Sequence, residues 1–147
     1  MTQKRALFKR PESVLVVVFT LNGDVLMLRR IQPDHFWQSV TGSLRWGESA
    51  GQAARRELYE ETRIMAGDGL IDLHQQVTFP ILPAWRSRYA PSATVNTEHW
   101  FALALPSRRL PRLHLSEHTA YLWLPYDQAL RLATSSTNRK AIRYLSV

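Results

Sequence analysis

Residues 42–64 read GSLRWGESAGQAARRELYEETRI and place three glutamates about one helical turn apart, behind a glycine-bearing loop. At 3.6 residues per turn, Glu57, Glu60 and Glu61 project within an arc of roughly 100° on one helix, and like charges at this spacing repel each other. Because several alanines and Leu58 project to the same side, Glu57 and Glu61 are predicted to face inward. Buried carboxylates need a compensating cation, and Mg²⁺ prefers such ligands.

A solvated helix is the alternative interpretation of these glutamates. Their carboxylates would then pair with Arg56 and Arg63 at the surface, as charged runs usually do. Two observations favour the metal site instead: the acidic residues share the alanine side of the helix, and they follow Gly42 and Glu48 at a specific spacing.

That spacing resembles the Nudix box, Gly-x5-Glu-x7-Arg-Glu-U-x-Glu-Glu-x-Gly-U, where U is a bulky aliphatic residue. Arg63 is the one departure, because it stands where the box has its second glycine. Glycine is the easiest residue for a left-handed helix end, so we expect the change to affect helix termination and not the carboxylates. The matching positions are Gly42, Glu48, Arg56, Glu57, Leu58, Glu60, Glu61 and Ile64.

Length and composition limit the kind of protein. The 147 residues predict a single domain over 1–147, and an apolar content of 45% with a charged content of 21% is typical of a globular protein. Without cysteines, a long apolar run or a signal-peptide pattern, the sequence favours a cytoplasmic location and no membrane partner. Oligomeric state stays open.

The net charge of +7 indicates an anionic partner. The 19 Lys and Arg residues are dispersed, and no RNA-binding or helix-turn-helix pattern stands out. We therefore expect an anionic small molecule and no nucleic acid.

Periodicity and turn signals predict an α/β (α+β) protein. Asn22-Gly23 marks a hairpin between strands over 13–20 and 25–29, and Ser49 is the predicted N-cap of the motif helix, which ends near Arg63. The resemblance implies a Nudix-type α/β/α sandwich with a mixed sheet and the Nudix loop-helix. The other predicted elements are strands over 37–41, 71–82, 94–105 and 121–124, a loop over 84–92, and helices over 125–133 and 137–145.

The Nudix resemblance implies hydrolysis of a nucleoside diphosphate linked to another group, with Mg²⁺ as cofactor and Mn²⁺ as the alternative. Glu57 and Glu61 are the expected metal ligands, followed by Glu60, and the Gly42 carbonyl is a further expected ligand. Arg56 is expected to orient the glutamates. A glutamate of the cluster could act as general base if crowding raises its pKa.

The resemblance extends beyond the box to one branch of the family, the dihydroneopterin triphosphate diphosphatases of bacterial folate synthesis. It implies release of pyrophosphate from 7,8-dihydroneopterin 3′-triphosphate, which leaves the monophosphate. The segments that carry it are LFKRPESVLVVV, VLMLRR, FWQSVTGS, RSRYAPS, NTEHWFALALP, SEHTAYLWL and SSTNRKAI.

This wider resemblance implies further site residues. Glu117 would be a fourth carboxylate that binds metal or substrate or acts on the water, although a surface glutamate is the alternative. Arg29 could equally be a charge at the end of a strand, and Arg30 could then contact the substrate in its place. Phe79 could belong to the core. The implied substrate-binding residues are Lys9, Arg29, Thr41 and Glu117, with Phe79, Pro80, Ile81, Leu82 and Ser135 around the ring and its side chain.

Two other functions remain compatible with the box. One is a nucleoside triphosphate pyrophosphohydrolase that acts on dNTPs as a pool sanitiser. The other is a non-catalytic Nudix module that binds nucleotide or RNA. Loss of box carboxylates would be the sign of such a module, and none is lost here.

Overall fold

The computed structural model describes residues 8–145. In this part of the chain, strands alternate with three α-helices and one 3-10 helix. In chain order the elements are β1 (Glu12–Thr20), β2 (Asp24–Arg30), β3 (Trp37–Gln38), β4 (Val40–Ser43), α1 (Ala50–Thr62), β5 (Leu70–Pro80), the 3-10 helix (Pro83–Arg88), β6 (Val95–Leu105), β7 (His118–Pro125), α2 (Tyr126–Leu132) and α3 (Ser136–Tyr144).

The strands form one mixed sheet with β1 at its centre. β1 runs parallel to β6 over its whole length, while β5 lies antiparallel to β6 at one edge. The predicted hairpin forms at Gly23, but β1 and β2 pair only where Phe19 faces Val25. β1 then pairs with β4, and β2 pairs with β3 and β7. This change of partners separates β1 from β2 on the side where the functional residues gather.

Helices cover both faces of the sheet, as the predicted α/β/α sandwich requires. The side chains of β1 alternate between two cores: Val14 and Val16 pack with α1, whereas Leu15 and Val17 pack with α2 and α3. All four are at most 1% exposed. A strand buried on both faces gives a continuous apolar run in place of polar alternation. The run that predicted β1 therefore also reflects its central position.

Helix α1 begins and ends as the sequence predicts. Ser49 forms a capping box with Gln52, in which the Ser49 hydroxyl accepts from the Gln52 N–H at 3.1 Å and the Gln52 side chain accepts from the Ser49 N–H at 2.9 Å. At the other end Arg63 takes the left-handed conformation, with φ of 63°, and its guanidinium lies 4.9 Å from the Tyr59 ring centroid. A residue with a β-carbon pays roughly 1 kcal/mol for this conformation, and the stacking contact on Tyr59 offsets part of that cost.

Two predicted elements differ from the structure. The single strand predicted over 37–41 is interrupted at Ser39, because the Ser39 N–H donates to the Asn138 side-chain oxygen at 2.7 Å and not to a neighbouring strand. The loop predicted over 84–92 contains most of the 3-10 helix, which Pro83 begins. Proline suits the first helical position, where its missing N–H has no partner to lose. In the described residues, no helix has the length and apolar character needed to cross a bilayer.

Candidate active site

A cleft of about 1210 Å³ contains most of the residues that the sequence singled out. Two groups among its lining residues matter for function, and we call them the α1 side and the α3 side. The α1 side comprises Lys9, Arg30, Thr41, Gly42, Arg56, Glu57, Arg88 and Glu117. The α3 side comprises Ser13, Phe79, Pro80, Ile81, Leu82, Asn96, Glu98, Ser135 and Thr137.

Glu61 is the most unusual residue on the α1 side, although it lies beneath the lining itself. Its side chain is only 1% exposed, and within residues 8–145 neither carboxylate oxygen has a hydrogen bond of good geometry; the nearby Thr41 backbone only partly opposes the effect of burial on its pKa. Burial, together with the neighbouring Glu57 and Glu117, raises the pKa of Glu61 well above its ordinary value. A buried carboxylate without a partner is costly unless a cation or a proton neutralises it.

The groups around Glu61 are those that could hold such a cation. One ligand atom each from Glu61, Glu117 and His118 lie within 4.8 Å of one another. Glu57 is close enough to raise the pKa of Glu61 directly. Burial, followed by the charges of Arg30 and His114, lowers the pKa of His118 to about 4, so its imidazole is neutral at pH 7. The orphaned oxygens and the adjacent carboxylates therefore fit a divalent cation.

Arg56 connects the loop to the glutamates of α1. Its guanidinium donates to both oxygens of Glu48, at 2.7 and 2.8 Å, and to the Ser43 carbonyl at 2.9 Å. It also contacts Glu57 at 2.7 Å and Glu60 at 3.3 Å. These hydrogen bonds lower the pKa of Glu48 to about 2. Arg56 thus fixes the Glu57 carboxylate relative to the loop, and its role in catalysis stays a prediction.

Gly42 allows that loop to approach α1 closely. A β-carbon at this position would overlap the carboxylate of Glu57. The glycine is therefore required by the close approach and not by its backbone angles. Glu60 lies at the outer edge of the cluster, 41% exposed, where it also contacts Arg45 at 3.4 Å.

Besides Arg56, three cations line the cleft on the α1 side: Lys9, Arg30 and Arg88. The Lys9 N–H donates to the Arg88 carbonyl at 2.8 Å, which holds the two residues together. Burial, followed by the charges of Arg88 and Arg30, lowers the pKa of the Lys9 ammonium. Cations that face one another in this way are stabilised by an anion between them, and phosphate is well suited to that role.

The structure corrects the placement of Arg29. Its guanidinium donates to Asp34 at 2.7 Å and does not line the cleft, whereas the adjacent Arg30 does. The register of β2 against β7 shifts between these two residues, so the direction of each side chain is set by this irregularity and not by regular alternation. The other residues predicted to bind substrate do line the cleft: Lys9, Thr41, Phe79, Pro80, Ile81, Leu82, Glu117 and Ser135.

Comparison with known proteins agrees with this geometry. The family model of the NUDIX domain matches residues 9–145. The chain belongs to the Nudix hydrolase family. This Nudix hydrolase is 47% identical to dihydroneopterin triphosphate diphosphatase of Escherichia coli K12 over 143 residues, which cover 95% of the chain and 94% of the relative. The enzyme of the same name from Haemophilus influenzae is 37% identical over 140 residues, or 92% of the chain and 87% of the relative.

Among solved structures, the E. coli dihydroneopterin triphosphate pyrophosphohydrolase is similar to this Nudix hydrolase. Its TM-score is 0.85 at 46% sequence identity, with 95% of the chain and 97% of the solved chain covered.

The sequence analysis did not assign Arg88, Glu98 or His118 to the site. Arg88 lies in the segment that the sequence predicted as a loop, where its residue type alone does not indicate a role in the site. Glu98 had a detectable signal: it is a carboxylate two residues before Trp100 on the face of β6 that the structure buries. A charged residue at such a position is uncommon unless something compensates it.

Proposed function

We propose that this Nudix hydrolase releases pyrophosphate from 7,8-dihydroneopterin 3′-triphosphate and leaves the monophosphate, a step of folate synthesis. The observation that carries the proposal is the 47% identity to the E. coli enzyme along 95% of the chain. The match covers the segments on both sides of the cleft, whereas the Nudix box alone does not specify the leaving group. The proposed partner is a small triphosphate, and the proposed location is the cytoplasm.

The metal site follows from the carboxylates of the α1 side. Glu57, Glu61 and Glu117 would hold Mg²⁺, or Mn²⁺ as the alternative, with the Gly42 carbonyl as a further ligand and Glu60 at the edge. When bound, the cation neutralises phosphate charge and makes water a stronger nucleophile. The orphaned oxygens of Glu61 support this assignment.

The protein's own cations bind and orient the triphosphate in this proposal. Lys9, Arg30 and Arg88 line the cleft and offer charge-assisted hydrogen bonds to phosphate oxygens. Arg56 already forms ion pairs with Glu48 and Glu57. In this proposal it therefore positions the Glu57 carboxylate and does not bind phosphate. Glu117 is exposed, and as the alternative to binding the metal it can accept a proton from the attacking water.

Product analysis tests the proposal directly. The purified protein is incubated with dihydroneopterin triphosphate and Mg²⁺, and pyrophosphate and orthophosphate are quantified separately. We expect pyrophosphate with the monophosphate, and no turnover by Glu57→Gln or Glu61→Gln variants that retain the wild-type circular dichroism. Asp127→Asn, on the exposed surface of α2, is the matched control and should keep full activity. Full activity in both glutamate variants would refute the metal assignment.

Nucleoside triphosphates are the second candidate substrates. The groups that face the phosphates do not depend on what the triphosphate is attached to, so we expect dNTP turnover as a secondary activity. Side-by-side kcat/KM values for the pterin triphosphate and a dNTP panel separate the two functions. Strong preference for an oxidised dNTP with negligible pterin turnover would replace the first proposal by a pool sanitiser.

A further inference from the structure

The α3 side of the cleft contains a buried carboxylate that the proposed mechanism does not use. Glu98 lies within β6, opposite Ser13 of β1 and Val77 of β5, and is 5% exposed. It nevertheless belongs to the lining of the cleft. It is separate from the Nudix glutamates, which come from α1 and from the turn before β7.

The partners of Glu98 are neutral groups. One carboxylate oxygen accepts from the Trp100 indole N–H at 3.1 Å, and the Thr137 hydroxyl is its other hydrogen-bonding neighbour. By contrast, Glu48 and Glu12 each pair with an arginine. Burial raises the pKa of Glu98, and the hydrogen bonds from Trp100 and Thr137 only partly oppose this. Additional N–H donors from a ligand would stabilise the carboxylate.

The surroundings of Glu98 suit a flat heterocycle. Phe79 stands opposite Asn96 in the β5–β6 ladder, so its ring projects from the same face as Asn96 and Glu98. Ser135 joins this wall because its hydroxyl lies 3.4 Å from that of Thr137. An aromatic side chain beside a small number of polar groups is the usual composition of a site for a planar ligand.

The proposed substrate presents donors that match this carboxylate. The pterin ring carries an N3–H and a 2-amino group side by side, and a carboxylate can accept both N–H groups at once. Guanine presents the same pair through its N1–H and 2-amino group. Adenine presents one donor and one acceptor on the corresponding edge, and its ring nitrogen would face the carboxylate with a lone pair.

We propose that Glu98 is the specificity-determining residue of the cleft, accepting hydrogen bonds from the N3–H and 2-amino groups of the pterin. The inference rests on the proposed function for the identity of the substrate. It extends to any triphosphate with a guanine-type edge. The α1 side then binds the phosphates while the α3 side selects the ring.

The first experiment uses Glu98→Gln, which keeps the shape and removes the charge. We expect kcat/KM for dihydroneopterin triphosphate and dGTP to fall by roughly 10- to 100-fold, because a charge-assisted pair of hydrogen bonds is lost. We expect kcat/KM for dATP not to fall, because the glutamine amide can pair with the one donor and the one acceptor of the adenine edge. Asp127→Asn is again the control. A uniform loss on all three substrates would overturn the proposal.

The second experiment uses the wild-type protein and is independent of whether the variant folds. dITP differs from dGTP only by the missing 2-amino group, so we expect kcat/KM to be about tenfold higher for dGTP than for dITP. Equal values would overturn the role of Glu98. If the pterin triphosphate is not hydrolysed but the preference for dGTP is present, the proposed function fails and the specificity role stands.

Discussion

The Glu48–Arg56 pair gives a stability prediction that the structure makes quantitative. A pKa of about 2 in place of 4.5 corresponds to roughly 3 kcal/mol at about 1.36 kcal/mol per pH unit, which solvent screening reduces to about 2 kcal/mol. Glutamine mimics the protonated acid. Glu48→Gln should therefore lower the free energy of unfolding by about 2 kcal/mol at pH 7.

The sign of the pH dependence is also fixed. Because the folded-state pKa of Glu48 is depressed, the stabilisation is fully present above pH 4.5 and is lost as the pH falls toward 2. The difference between wild type and Glu48→Gln should thus shrink by about two-fifths at pH 3.5. Urea unfolding of both proteins at pH 7 and pH 3.5 measures it.

Glu60→Gln is the matched control for this prediction, since Glu60 also contacts Arg56 but is 41% exposed. We expect it to cost less than about 0.5 kcal/mol. Equal losses for the two variants, or a Glu48→Gln loss that does not change with pH, would refute the reasoning.

The loop glycine, the end of α1 and the cations of β2 each give a further prediction. Gly42→Ala should lower kcat by about 100-fold, because it displaces the Glu57 carboxylate. Its free energy of unfolding should fall by about 1 kcal/mol, since the Glu57 side chain can rotate away but loses its contact with Arg56. The free energy of unfolding of Arg63→Gly, measured in urea, should be about 1 kcal/mol higher than that of Arg63→Ala, because only glycine is unstrained at φ of 63°. Equal free energies of unfolding would contradict this. Arg30→Ala should raise KM for triphosphates about tenfold, whereas Arg29→Ala should change KM less than about twofold. A larger rise in KM for Arg29→Ala than for Arg30→Ala would show that Arg29 is the substrate-binding residue, as the sequence predicted.

Local sequence patterns predicted much of the fold. The apolar run of β1, the Gly23 turn, the Ser49 cap and the inward position of Glu61 all depend on residues near one another in the chain. The same holds for Arg56, whose partners Glu48, Glu57 and Glu60 lie within the box.

The features that could not be predicted depend on distant partners. The interruption at Ser39 is caused by Asn138, which is 99 positions away. The choice between Arg29 and Arg30 depends on which face of β2 borders the cleft, and neither residue type nor spacing contains that information. The position of Glu98 in the cleft depends on Thr137 of α3 and Phe79 of β5, which only the tertiary structure brings to β6.

The Ser39–Asn138 contact joins α3 to the chain that leads into Gly42. Ser39 is 1% exposed; its N–H donates to the Asn138 side-chain oxygen at 2.7 Å, and its hydroxyl accepts from the Asn138 side-chain amide at 3.0 Å. Thr41 and Gly42 follow it by two and three residues, and Gly42 leaves the space that the Glu57 carboxylate occupies. A ring bound against α3 as proposed would therefore brace the backbone next to the reacting phosphates. Part of its binding energy would then appear as faster turnover in addition to tighter association.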